Sequence, residues 1–249
     1  MAEKTGFDPG VPCWVDLEAP DVPAARRFYG ELFGWEFADL GEDAGHYTMA
    51  SKGGRLVAAL SAPTAPGPAH WTTYVDVEDA EAAAARAGAA GGRVLGGPMR
   101  VMEAGSMVVL ADPSGAVVAG WQPAAHTGAQ LVDEPGTLVW NELQTADLDR
   151  ARSFYAQVFG WGWAGQDGYA EAQVAGRSVA GAMPRPADLP PEVPDHWLVY
   201  FGSADLDGDV TRAQALGATL LVEPRDVPGT GRFAVVADPQ GAAFGLFQG

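Results

Sequence analysis

Cysteine, histidine and basic residues are all scarce in this chain. There is one cysteine, Cys13, in 249 residues, which excludes an internal disulfide and a cysteine-cluster zinc site. Lys and Arg number 15 against 32 Asp and Glu, for a net charge of −17. Such a surface repels phosphate backbones and anionic lipid, so neither nucleic acid nor a membrane surface is expected as a partner. No run approaches the roughly 18 apolar residues of a transmembrane helix. The polar start, Met1–Gly10, lacks the apolar stretch of a signal peptide. There is no P-loop or dinucleotide fingerprint: GAAGG at 88–92 closes a predicted helix instead of opening one, so its N–H groups are not offered to a phosphate. The expectation is a soluble cytoplasmic protein. What the chain has in abundance is core material, 47 % hydrophobic residues, which excludes a disordered chain. Its length suits one large or two small domains.

Self-similarity decides between these. Residues 14–35, WVDLEAPDVPAARRFYGELFGW, match residues 140–161, WNELQTADLDRARSFYAQVFGW, with ten of 22 positions identical at an offset of 126. HWTTYV at 70–75 meets HWLVYF at 196–201, and VVLADPSGAVVAGW at 108–121 meets AVVADPQGAAFGLF at 234–247, again at 126. Between these blocks GGR at 53–55 meets AGR at 175–177, an offset of 122. An offset that drops and returns is the mark of loop deletion in a duplicated fold. Solenoids need several short repeats, so one long duplication predicts two paired globular domains, 8–123 and 136–249, joined by a linker at 124–135. A monomer of two paired domains or a homodimer is expected.

Each half reads as an α+β unit. Residues 12–18 are β-rich. Asp21 caps a helix with Pro23 in its first turn, an apolar face of Phe28, Tyr29, Leu32 and Phe33, and Gly34 as the stop. Short strands are predicted at 35–38, 46–50 and 56–61. A second unit follows: a strand at 70–77, an Ala-rich helix at 79–90, and strands at 93–95, 99–102, 106–111 and 116–122. That is β-α-β-β-β twice per half and four times in the chain. In the second half Asp147 caps the first helix, and Asp205 or Asp207 the second. By strand parity Cys13 lies on the face opposite Trp14 and packs as a small hydrophobe. DPSG and DPQG read as β-turns, with Pro at i+1 and Gly at i+3.

The β-α-β-β-β module, the FY pair ahead of an FGW helix end, HWxxY opening the second module and DPxGA before the last strand together resemble the vicinal oxygen chelate superfamily. That group holds glyoxalases, bleomycin-resistance proteins and extradiol dioxygenases, and the tandem form resembles two-domain glyoxalase-like and hydroxylase-like proteins of actinobacteria. The resemblance implies paired modules that curl into a cup-shaped mixed sheet with the ligand inside. It also implies where a metal would be held. The first-strand position is Trp14 or Trp140 here. The position opening the second module is His70 or His196. The last-strand position is Ala119 or Gly245, and the runs 56–60 and 179–183 carry no acid, His or Gln. One donor per half is too few for a divalent ion, so no cofactor is expected and a metal is disfavoured.

Alternation along the strands then gives the cup contents. Trp14, Asp16 and Glu18 share a face, as do His70, Thr72 and Tyr74. The second half offers Trp140, Glu142 and Gln144 beside His196, Leu198 and Tyr200, and Tyr47 and Tyr169 are further candidates on mid-module strands. Trp14, Trp140, Tyr74, Tyr200, Thr72, Tyr47 and Tyr169 are expected to bind ligand. Asp16 with His70, and Glu142 with His196, are the expected catalytic acid–base pairs. Glu142 reaches about one methylene deeper than Asp16, which favours the second cup as the functional one. His46 and His126, in a turn and the linker, are expected at the surface. An apolar cup with a few convergent polar groups suits a small organic ligand. Three functions fit: a binding or resistance protein, a metal-independent lyase, isomerase or hydroxylase-like tailoring enzyme, and a metal-dependent glyoxalase-type lyase or dioxygenase.

Overall fold

The computed structural model describes residues 4–63, 67–165, 168–187, 189–190 and 192–249. Four β-α-β-β-β modules follow one another. The first holds β1 (Pro12–Glu18), α1 (Val22–Phe33), β2 (Glu36–Asp39), β3 (Thr48–Lys52) and β4 (Arg55–Ser61). The second holds β5 (His70–Asp76), α2 (Ala80–Ala89), β6 (Arg93–Val101), β7 (Gly105–Ala111) and β8 (Val117–Pro123). The third holds β9 (Leu138–Thr145), α3 (Leu148–Phe159), β10 (Gly162–Ala164), β11 (Ala170–Val174) and β12 (Arg177–Pro184). The last holds β13 (His196–Gly202), α4 (Leu206–Ala215), β14 (Thr219–Val227), β15 (Gly231–Ala237) and β16 (Ala243–Gln248).

Each of the helices α1 to α4 opens on an aspartate. Asp21, Asp79, Asp147 and Asp205 accept backbone N–H groups of the first turn, which satisfies donors the helix itself cannot. Of the two acids considered for α4, Asp205 is the cap. α1 and α3 end on Gly34 and Gly160 at φ 72° and 73°, a left-handed conformation that suits glycine.

The strands form two eight-stranded mixed sheets, one in each half: β2-β3-β4-β1-β5-β8-β7-β6 and β10-β11-β12-β9-β13-β16-β15-β14. Each cup is therefore built within one half, with β1 and β5, or β9 and β13, paired antiparallel at its centre. One face of each sheet carries the helices, and there the halves meet. Val15, Leu17, α1 and β4 pack with Phe201, α4, Phe244 and Leu246 in one shared core. Val75, α2, Val108 and Val118 pack with α3, Trp161, Ala180 and Trp197 in the other. Module one thus leans on module four, and module two on module three.

The expected turns at DPSG and DPQG form, and they do more than turn the chain. Asp112 Oδ1 accepts N–H groups of Ser114, Gly115 and Ala116, while its Oδ2 accepts the phenol of Tyr155 from the other half at 3.0 Å. Asp238 Oδ2 likewise accepts the phenol of Tyr29 at 3.0 Å. Trp71 and Trp197 donate to those same phenols. The FY tyrosine of each half is thereby bonded to the DPxG turn of the other.

Two expectations are corrected. Residues 93–101 form one strand, not two. It shifts register against β7 at Val94/Gly96 and Gly96/Met99, and these breaks interrupt its apolar pattern. Cys13 is fully buried, as expected of a small hydrophobe, but it joins the cluster of Trp14, Tyr74 and Trp121. A register shift between Pro12 and Trp14 breaks the alternation on which the parity reading rested.

Candidate functional site

The face of each sheet away from the helices carries the candidate residues, and the same four recur in both. In the first cup Trp14 Nε1 donates to Tyr47 Oη at 3.0 Å, and Tyr47 donates to Asp16 Oδ2 at 3.0 Å. Tyr74 donates to the same oxygen at 2.8 Å. In the second cup Trp140 Nε1 donates to Tyr169 Oη at 2.9 Å and Tyr200 donates to Glu142 Oε1 at 3.1 Å. Tyr169 and Gln144 stand near enough to that carboxyl to favour its charged form. Strand alternation puts Trp and acid two residues apart on one face, and the central antiparallel pairing sets Tyr74 opposite Trp14 and Tyr200 opposite Trp140.

Both acids are buried, at 5 % and 7 % exposure, and phenols rather than guanidinium groups are their partners. Burial pushes the Asp16 carboxyl up to about 6, against the pull of its two phenol donors. Burial also raises that of Glu142, against Tyr169 and Tyr200. Each carboxyl in turn raises the phenols that face it, adding to their own desolvation. A carboxyl whose ionisation is moved towards neutrality by an apolar wall can take or give a proton without strong bias.

The histidines stand elsewhere. His70 Nδ1 faces the Pro68 carbonyl at 3.2 Å and His196 Nδ1 faces that of Pro194 at 2.9 Å. Across the sheet His70 is paired with Glu18, and His196 with Gln144. Each imidazole is thus one strand repeat beyond the acid assigned to it, and the carbonyl two residues upstream captures its Nδ1. The acid–imidazole pairs expected from sequence do not form. Thr72 lies half-buried opposite Asp16, a place held by Leu198 opposite Glu142.

The cups differ in their floors. Opposite Asp16 the first sheet places Ala59, and opposite Tyr74 it places Ala119. The second sheet has Gly181 opposite Glu142 and Gly245 opposite Tyr200. A Cβ at Gly181 would fall within 2.0 Å of Tyr169 Oη, and one at Gly245 within 2.1 Å of the Tyr200 ring. The missing methyl groups let both phenols sink into the floor of the second cup.

They differ again in what lies above. Over the first cup runs the linker, and His126, expected at the surface, is instead half-buried against the cup's aromatic wall. Its ring meets Trp14 edge-on at 4.5 Å and Trp121 at 5.7 Å, and Trp121 Nε1 donates to its carbonyl at 2.9 Å. Its Nε2 is buried without a hydrogen-bond partner, and burial pulls its ionisation down to about 4. No periodic pattern in the linker signals this. Among the described residues no ring stands over Trp140 in this way. Trp140 also borders a cavity of about 300 Å³ at the starts of β9 and β12, walled by Phe7 and Asp8 of the first half and by Val132 and Asp133 of the linker; Glu142, Tyr169 and Tyr200 do not line it.

Of the positions where the resemblance implies metal donors, only His70 and His196 carry one. Indoles of Trp14 and Trp140 cannot coordinate, Ala119 and Gly245 carry no donor, and the acids are occupied by phenols. Among the described residues no three His, Cys, Asp or Glu stand close enough to hold an ion.

A family model described as the Glyoxalase/Bleomycin resistance protein/Dioxygenase superfamily matches residues 14–119 and again 124–246. CFP32 of Mycobacterium tuberculosis, named as a glyoxylase, is 40 % identical over 261 residues, covering 100 % of this chain and 98 % of its own. The anthracycline biosynthesis protein DnrV of Streptomyces peucetius is 38 % identical over 264 residues, covering 98 % and 95 %. Among solved structures, the Mn(II)-bound glyoxalase of Novosphingobium aromaticivorans superposes with a TM-score of 0.66 at 18 % identity over 96 % of this chain and 82 % of that one. The 2,3-dioxygenase LapB of Pseudomonas sp. KL28 does so with 0.67 at 14 % identity, over 97 % and 93 %. At such identities the likeness concerns the fold.

Proposed function

The chain belongs to the Glyoxalase/Bleomycin resistance protein/Dioxygenase superfamily, and from that premise we propose that its second cup binds a small, largely apolar organic molecule without a metal. The observation that carries this reading is the buried Glu142, bonded by Tyr200, on a sheet face whose Trp140 pairs with Tyr200 across the strands and, among the described residues, has no ring packed over it. An aromatic wall gives affinity for a flat ligand. The carboxyl and phenols fix a hydroxyl or carbonyl group on it. The relatives named for anthracycline biosynthesis make polycyclic aromatic compounds the first class to test.

Two roles fit this geometry. As a binding or resistance protein the chain sequesters the ligand. As a tailoring enzyme it uses Glu142 as the proton-transferring group and the phenols to hold its partner oxygen, with His196 at the rim of the cup. Titration of the protein with a polycyclic aromatic quinone, followed by tryptophan fluorescence and by product analysis, separates them. Saturable binding with recovery of unchanged ligand supports sequestration, and product formation supports the enzyme. No binding by the wild type, or equal binding by Glu142→Gln, overturns the assignment of the cup. Metal analysis belongs in the same experiment. About one Zn, Mn or Fe per half, removed by chelator together with activity, overturns the metal-free reading in favour of a glyoxalase-type lyase or dioxygenase.

A further inference from the structure

The half-buried imidazole of His126, its Nε2 enclosed, has no part in the chemistry assigned to the second cup, and its surroundings need a cause. An unpaired polar atom in an apolar wall is destabilising, yet the linker is built to hold this ring in place. Upstream, Ala124 and His126 donate their N–H groups to the Ala104 carbonyl, at 2.9 and 3.0 Å. Downstream, Ala129 donates to Cys13 O and Gln130 to Leu56 O, each at 2.8 Å, and Gln130 Oε1 accepts from Leu56 N. Between these anchors Gly128 sits at φ 100°, where a Cβ would fall 2.5 Å from Cys13 O. The segment is therefore pinned at both ends to the rim of the first cup. The ring it delivers lies against Trp14, the residue that opens the hydrogen-bonded chain to Asp16.

We infer that the first cup is a binding site for a small flat aromatic ring, held by the edges and faces of its indoles, and that its resident occupant is the tethered imidazole of His126. The chain then offers one cup to a diffusible ligand, and a second only when the strap is emptied. The inference does not rest on what the second cup binds.

The test uses the full-length chain with His126→Gly and free imidazole at pH 8, where imidazole is largely neutral. The variant is expected to melt several degrees below the wild type. Imidazole should then raise its melting temperature saturably, by roughly 2–4 °C, the shift that a ligand at several times its dissociation constant gives a chain of this size. The wild type, its cup already filled, should not respond. His126→Phe keeps a ring in the cage and should melt within about 2 °C of the wild type without responding to imidazole. A folded His126→Gly protein with no saturable response overturns the inference, as does an equal response in the wild type. So does a His126→Phe protein as unstable as His126→Gly. If His126→Gly does not fold alone, recovery of folded protein by refolding in imidazole supports the inference and failure to recover it counts against it. Ligand titration of Glu142→Gln reports on the second cup separately, so failure there leaves this result standing.

Discussion

The two cups carry the same indole, phenol, carboxyl and phenol, yet over the first indole lies a ring of its own chain and over the second, among the described residues, none. In the first, alanines at 59 and 119 fill the floor, Asp16 is short and His126 is the lid. In the second, glycines at 181 and 245 leave room below, and Glu142 is longer. The difference teaches which feature does what. The quartet of side chains is common to both, joined into one hydrogen-bonded chain in the first and into two pairs in the second. Floor volume and the covering segment set the two cups apart.

The largest contrast is expected from the acids. Glu142→Gln should weaken ligand binding ten- to hundredfold, the worth of a hydrogen bond to a charged group, with little change in melting temperature. Asp16→Asn should leave affinity within twofold, because the site it serves is occupied. Isothermal titration and thermal melts of both variants measure this. Equal losses of affinity would erase the distinction, and a large loss of stability with unchanged affinity would make the carboxyls structural.

Exchanging the floors comes next. Gly181→Ala places a methyl group against Tyr169 Oη and should cost about 2 kcal/mol as an overpacked site, displacing the phenol and with it the ligand. Ala59→Gly in the first cup should cost only about 1 kcal/mol and leave ligand binding intact. Denaturant unfolding of the two variants gives the comparison.

The pH dependence of stability is a subtler test, and its sign can be worked out. Asp16 holds its proton up to about pH 6 in the folded state against an ordinary 3.8. Between those values the folded chain binds more protons than the unfolded one, so this group's contribution falls as pH rises through the window. Asp16→Asn removes that loss. The stability of the variant relative to the wild type should therefore rise between pH 4 and pH 7, by at most about 3 kcal/mol. Asp76, also raised to about 6 by burial, remains in both proteins and cancels in the difference. His126, lowered to about 4, acts with the opposite sign: its contribution is lost as pH falls from its ordinary 6.5, and it cancels likewise. A flat difference between the two curves would contradict the buried, phenol-bonded carboxyl.

The smallest effect should come from the rim. His70→Asn and His196→Asn each remove an imidazole whose Nδ1 faces a nearby carbonyl and should change stability by less than about 0.5 kcal/mol. If His196→Asn abolished turnover, proton transfer would pass through the rim.

Much of this was legible in the sequence because it is periodic. The four modules follow from helix caps, Gly stops and apolar alternation repeated at a fixed offset. The quartet follows from strand parity once Trp14 and Tyr74 are placed on one face. What escaped is non-local or aperiodic. His126 lies in a Gly- and Ala-rich segment with no strand or helix pattern, so nothing local aims its ring. The bond from Tyr29 to Asp238 spans the whole chain, and DPQG alone reads only as a turn. The expected acid–imidazole pairs failed because shared parity puts two residues on one face without bringing them into contact.

The crossed tyrosine–aspartate bonds carry a consequence for how a ligand arrives. With Tyr29 fixed in one half to Asp238 in the other, and Tyr155 to Asp112 in return, the halves cannot rock apart like the jaws of a clamshell without breaking both buried phenol–carboxyl bonds. Entry is left to the outward faces and to local movement of the segments lying on them. Association at the second cup should then follow simple one-step kinetics, with no slow closure of one half upon the other.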